Sequence, residues 1–197
     1  MPLDLVAEPL TPARWPDLEA VFQARGCSVA RGCWCMFYRE TGRNPPPPPG
    51  QTPAGVRKAA LQALAAQDPP AGLIGYVDGE PAGWVSFGPR EDFRKLANSP
   101  VMKAVDDAPV WSVVCFVVPA PWRGRGVARA LLRAAADFAR QRGVTLLEAY
   151  PVDKGPGVRV SDDNLWFGAK TMYDAAGFEE VARRKPQRPV MRLKLVR

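Results

Sequence analysis

The 197-residue chain contains no histidine. Ser-His-Asp and Cys-His nucleophilic catalysis are therefore excluded, as is every zinc site that needs an imidazole. Acid–base chemistry falls to Asp, Glu, Tyr, Lys, Cys or water. No run approaches the roughly 20 apolar residues of a membrane-spanning helix, so an integral membrane protein is not expected. The opening residues, MPLDLVAEPLTP, carry Asp4 and Glu8 and lack a basic region followed by an apolar one, so no secretory signal is expected. Only four cysteines are present (Cys27, Cys33, Cys35 and Cys115). They are too few to staple a chain of this length, and a reducing cytoplasm is the expected compartment. Hydrophobic residues at 47% and charged residues at 24% exclude disorder as the general state and suit one globular domain.

Acidic residues are the scarcer charge, 20 against 27 basic ones, for a formal +7. The last stretch holds Arg183, Arg184, Lys185, Arg188, Arg192, Lys194 and Arg197 with no carboxylate among them. It also alternates, with Val190, Arg192 and Lys194 opposite Met191, Leu193 and Leu195. Alternation favours a half-buried strand over a nucleic-acid track, and no nucleic-acid motif accompanies the charge.

Proline is concentrated. Pro45–Pro49 predicts a stiff polyproline connector. Helical spacing flanks it at 12–25 (Trp15, Leu18, Val21, Phe22) and at 53–67 (Val56, Ala60, Leu61, Leu64). The period then becomes strand-like: 73–77 and 82–87 flank Asp78-Gly79-Glu80-Pro81, a hairpin signal. A long apolar strand over 110–118 runs through Arg123-Gly124-Arg125-Gly126 into a helix over 127–142. A strand over 144–150 follows, then a helix over about 165–176 capped by Ser161-Asp162-Asp163-Asn164, and strands over 178–183 and 189–196. This order predicts one α/β domain around a mixed, mostly antiparallel sheet flanked by helices. Residues 1–70 are expected to form a helical part and 71–197 the sheet core.

The strand–RGRGVA–helix junction is the strongest chemical signal. Unpaired N–H groups and the dipole at a helix N-terminus favour an anion, and glycines let it approach the backbone. A basic structural turn is the competing reading. The pattern is neither GxGxxG nor GxxxxGK, so those nucleotide folds are disfavoured.

Arg123-Gly124-Arg125-Gly126-Val127-Ala128 resembles the Arg/Gln-x-x-Gly-x-Gly/Ala motif of the GCN5-related N-acetyltransferase superfamily. Tyr173-Asp174-Ala175-Ala176-Gly177-Phe178 resembles that family's Tyr-x-x-x-Gly-Phe. The resemblance spans roughly residues 70–197; Trp166 stands where many members have Asn, and Pro119-Ala120-Pro121-Trp122 is unusually rich in proline. It implies acetyl-coenzyme A as cosubstrate, no metal, and direct transfer to a primary amine in a ternary complex. It also implies that residues 1–70 are the variable, substrate-side part. Arg123, Gly124, Arg125, Gly126, Val127 and Ala128 would hold the pyrophosphate. The main chain of Phe116, Val117 and Val118 would hold the pantetheine arm and offer an N–H to the thioester oxygen. Tyr173 corresponds to the acid that protonates the departing sulfur, and a phenol stays protonated at neutral pH.

Glu148, a carboxylate on the strand face of Leu146 and Tyr150, is the candidate base, with an edge residue reaching solvent as the equal alternative. Glu91, Asp92, Asp106 and Asp107 are weaker candidates. Cys27, Cys33 and Cys35 make a poor zinc or redox pattern and are expected to pack as a substrate-side wall with Trp34, Phe37 and Tyr38. Cys115 is expected in the core. The acceptor, a small-molecule or peptide amine, is left open, as is homodimerisation. A coenzyme A-binding accessory module with little catalysis is the alternative reading, and nucleic-acid binding through the tail a third.

Overall fold

The computed structural model describes residues 3–40, 46–155 and 166–196. Among them seven strands form one sheet: β1 (Val6–Pro9), β2 (Gly72–Val77), β3 (Glu80–Pro89), β4 (Trp111–Val117), β5 (Leu146–Ala149), β6 (Glu179–Lys185) and β7 (Arg188–Lys194). Their order is β1-β2-β3-β4-β5-β7-β6. Only β4 and β5 run parallel; the other neighbours are antiparallel. The expected mixed, mostly antiparallel sheet is present, and the 78–81 hairpin closes with Val77 opposite Glu80. Pro45 and the Ser161–Asn164 cap lie outside the described residues.

Helix α1 (Trp15–Gln23) buries Trp15, Leu18, Val21 and Phe22, the stripe read from the sequence; Pro12–Arg14 ahead of it is a 3₁₀ turn. Helix α2 (Ser28–Cys33) is an addition to the sequence reading, and α3 (Pro53–Leu64) is capped by Thr52, whose hydroxyl accepts from the Gly55 N–H at 3.1 Å. A short α4 (Arg94–Ala97) precedes β4. Helices α1, α2 and α3 cover one sheet face through Ile74, Trp84 and Val117, and Leu96 of α4 packs in a separate cluster with Val114 and Tyr150. Helix α5 (Val127–Gln141) covers the other, burying Val127, Ala130, Leu131, Leu132, Ala135, Ala136 and Ala139 at helical spacing. Its close seat depends on Gly83, where a Cβ would meet Val127 Cγ1 at 2.8 Å. That contact fixes the start of α5 beside the end of β4. Helix α6 (Lys170–Asp174) is shorter than the 165–176 expected, because Trp166 and Phe167 form a turn before it.

The decisive irregularity lies in β4. Ser86 pairs with Cys115 and Phe87 with Val113, so Val114 is an extra, bulged residue. The bulge breaks strict alternation: Val113 and Phe116, three apart, share the core under α5, while Val117 faces the opposite side. Pairing with β5 stops at Val113–Ala149. Beyond it, the Phe116 N–H donates to the Trp166 carbonyl at 2.7 Å instead of to a strand.

Candidate functional site

Where β4 leaves β5, the sheet opens into a cavity of about 270 Å³. Phe116, Val117, Val118 and Arg123 line it together with Cys27, Cys33, Cys35, Phe37 and Tyr38, and with Cys115 and Trp166. The cysteine segment lines a cavity, although Trp34 itself turns inward and stacks on Phe22 at 4.7 Å. All four cysteines, Cys115 included, face this one cavity and are free thiols. Burial pushes the Cys33 thiol up to about 11, with Cys35 adding to the rise. Cys35 is raised further by its hydrogen bond with Cys115 and by burial, and burial raises Cys27 despite the nearby Arg123 and Arg31. These are protonated, weakly nucleophilic thiols, not a thiolate site.

Arg123 anchors the end of β4. Its Nε donates to the Val118 carbonyl at 3.0 Å and its Nη2 to the Gly26 carbonyl at 2.6 Å, tying the junction to the loop after α1. The turn then exposes Gly124 and Gly126 at φ +72° and +89°, a region side chains rarely enter, and a Cβ on either would project into open space. No side chain caps the N-terminus of α5. The first-turn N–H groups of a fifteen-residue helix are therefore left without a side-chain cap beside two glycines open to space, an arrangement that suits a phosphate-bearing group. Arg125 is exposed beside it and lies over the Trp122 ring, 4.6 Å from its centroid. Val127 points into the core and Ala128 is half-buried, so from these two only the main chain is available to an anion.

Tyr173 is fully buried, and its hydroxyl donates to the Phe167 carbonyl at 2.7 Å. Burial holds its proton on well above the ordinary phenol range, and nearby Cys115 contributes. The rest of its motif is a helix stop. The Tyr173 carbonyl accepts from Ala176 and Phe178, and the Phe178 ring meets Tyr173 edge-on at 5.1 Å. Tyr38 is the phenol that lines the cavity; burial raises it too, against a lowering from Arg188 and a hydrogen bond with Trp166.

The structure does not bring Glu148 to the cavity. Its carboxylate is completely buried; Arg90 Nη1 donates to Oε1 at 2.9 Å, the Tyr150 hydroxyl to the same oxygen at 2.7 Å, and Arg192 Nε to Oε2 at 2.8 Å. Arg192 also grips Asp106 through two bonds, at 2.6 and 2.8 Å, and holds that carboxyl down at about 2. Ser112 and Tyr150 share a further bond of 2.9 Å. A carboxylate that accepts three hydrogen bonds, two of them from guanidiniums, and is sealed from solvent is poorly placed to take a proton from a substrate. The reading of Glu148 as a solvent-reaching edge residue is therefore corrected, and the carboxylate read as the candidate base lies outside the cavity lining. Asp92 pairs with Arg39 at 3.3 Å, and no carboxylate among the described residues lines the cavity. The same residues contain no cluster that could hold a metal ion.

Solved structures share this architecture. A polyamine N-acetyltransferase from Drosophila melanogaster that forms N-acetylagmatine is 15% identical, with TM-score 0.54 and 98% of this chain and 100% of that one covered. An N-acetyltransferase from Staphylococcus aureus Mu50 is 14% identical at TM-score 0.53, covering 98% and 99%. A ribosomal-protein-alanine N-acetyltransferase from Brucella melitensis is 20% identical at TM-score 0.53, covering 96% and 99%. No curated protein matches in sequence. These identities establish a shared fold alone. The model of the acetyltransferase (GNAT) family, however, matches residues 34–155, well over half of the sequence and including the splayed strand, the glycine turn and all of α5. The chain belongs to the acetyltransferase (GNAT) family.

Proposed function

We propose that the protein transfers an acetyl group from acetyl-coenzyme A to a primary amine by direct attack in a ternary complex. One observation carries this reading: a capless, glycine-opened helix N-terminus lies at the mouth of a cavity created by the departure of β4 from β5. The pyrophosphate is held by main-chain N–H groups of the 123–128 turn and by Arg125, while Arg123 keeps the turn in place. Phe116, Val117 and Val118 flank the pantetheine arm. The thioester supplies an activated acyl group and a leaving thiolate. The Phe116 N–H, now given to the Trp166 carbonyl, is the donor positioned to polarise the thioester oxygen once that bond is exchanged.

With no carboxylate lining the cavity among the described residues, the amine loses its proton by another route. An apolar wall of cysteines, Val29, Ala30 and Phe37 desolvates an ammonium and lowers its pKa, so that the neutral nucleophile forms on entry and water takes the proton. Tyr173 is assigned the protonation of the departing sulfur, through exchange of its bond to the Phe167 carbonyl. A second reading assigns this proton to Tyr38, because Tyr38 already lines the cavity whereas Tyr173 is sealed behind it.

Steady-state kinetics of Tyr173→Phe and Tyr38→Phe, following release of coenzyme A thiol, tests both. Loss of the acid is expected to lower kcat by about 10²-fold or more, with cofactor affinity little changed. A loss confined to Tyr38→Phe moves the role to Tyr38. Coenzyme A binding with no turnover in the native protein, across a broad amine panel, would instead identify a binding module.

A further inference from the structure

One side chain of the basic C-terminal stretch lies close behind the aromatic lining of the cavity. Arg188, the first residue of β7, is half-buried, and its guanidinium carbon lies 4.9 Å from the centroid of Phe167. Phe167 in turn packs against Tyr38 at 5.1 Å, and Tyr38 with Trp166, the neighbour of Phe167, lines the cavity. Other arginines of this region are partnered: Arg192 and Arg90 by Glu148, the exposed Arg183 by Asp153 and Glu180, and the half-buried Arg184 by the carbonyls of Val101, Lys103 and Ala104. Arg188 has no carboxylate partner among the described residues. Burial lowers its pKa, and only the Tyr38 phenol offsets that cost.

A second cation lies near this wall. Lys95 sits 3.5 Å from the centroid of Phe37, and its carboxylate neighbour Glu40, 3.9 Å away, is already bound by Arg57 at 2.7 Å. A desolvated guanidinium with an unspent fork of donors matches a carboxylate, while the cysteine and aromatic wall matches an apolar body.

We propose that the acyl acceptor is an amino carboxylic acid with an apolar side chain, its carboxylate received by Arg188 and its side chain by the Cys33–Phe37 wall. This rests on the acetyltransferase reading and narrows its substrate class. The test uses the products, so that it needs no turnover. N-acetyl-leucine and N-acetyl-leucinamide are titrated calorimetrically into the coenzyme A-loaded native protein, Arg188→Gln and Arg188→Lys. The native protein is expected to bind the acid at least tenfold more tightly than the amide. Arg188→Gln should erase that preference with coenzyme A affinity unchanged, and Arg188→Lys should keep part of it. Equal binding of acid and amide, or a preference that survives Arg188→Gln, overturns the proposal and leaves the acetyltransferase reading standing. Failure of the native protein to bind coenzyme A overturns both.

Discussion

Cys33 tests the character of the cavity wall at the scale of one atom. Its thiol is raised to about 11 by burial and by Cys35, so alkylation by iodoacetamide should be slow at pH 8 and rise to half its plateau near pH 11. Coenzyme A should slow it further, because the same cavity is filled. A half-point near the ordinary 8.5 would mean the wall is wetter than its packing implies. Glu148 makes the complementary case. Glu148→Gln leaves Arg90 and Arg192 facing a neutral group in a buried network and should cost about 3 kcal/mol of stability, read from a urea midpoint. Its kcat, measured where the variant is folded, should hold. A collapse of kcat with stability intact would restore Glu148 as the base.

The same residue shows what a sequence can and cannot disclose. A carboxylate on an apolar strand is a visible anomaly, and Glu148 is indeed buried. Its partners arrive from the 3₁₀ turn after β3 and from β7, at sequence separations of 58 and 44, and no local pattern announces them. Acid behaviour follows from the network's exposed end. Arg192 depresses Asp106 to about 2, so its contribution is complete above the unfolded value near 3.8 and is lost as pH falls toward 2. A urea midpoint that falls over that window in the native protein, and falls less in Asp106→Asn, checks it.

Among elements, the hairpin, β4, α5 and the Tyr-x-x-x-Gly-Phe stop were legible because each is written in contiguous residues. Strand β1 was not: four residues, two of them Glu8 and Pro9, give too short a period and earn strand geometry only by pairing with β2. Helix α2 was hidden for a related reason, since Ser28–Cys33 buries no residue fully and takes its role from the cavity it borders. The bulge at Val114 could not be read at all. A continuously apolar run carries no alternation whose break would reveal an inserted residue. Yet that bulge and the early end of β5 pairing place the cavity. The cradle was legible as a motif; the apolar, carboxylate-poor lining of the cavity required the fold.

At the scale of the whole molecule, the formal +7 suits the phosphate-rich cosubstrate proposed above, and the positive charge is expected to support its capture. Affinity for acetyl-coenzyme A should weaken as salt rises, since the exposed Arg125 is screened within about 10 Å at 0.1 M. No helix of the described residues is long and apolar enough to cross a membrane. The central claim is that the glycine turn at the start of α5 binds the pyrophosphate. Calorimetric titration of acetyl-coenzyme A into the native protein and into Arg125→Glu tests it most directly, because Arg125 is exposed and its reversal leaves the core untouched. The account predicts saturable one-to-one binding by the native protein and at least tenfold weaker binding by the variant, about 1.4 kcal/mol, at an unchanged melting temperature. Equal affinities in the two proteins, or no binding in either, would contradict it.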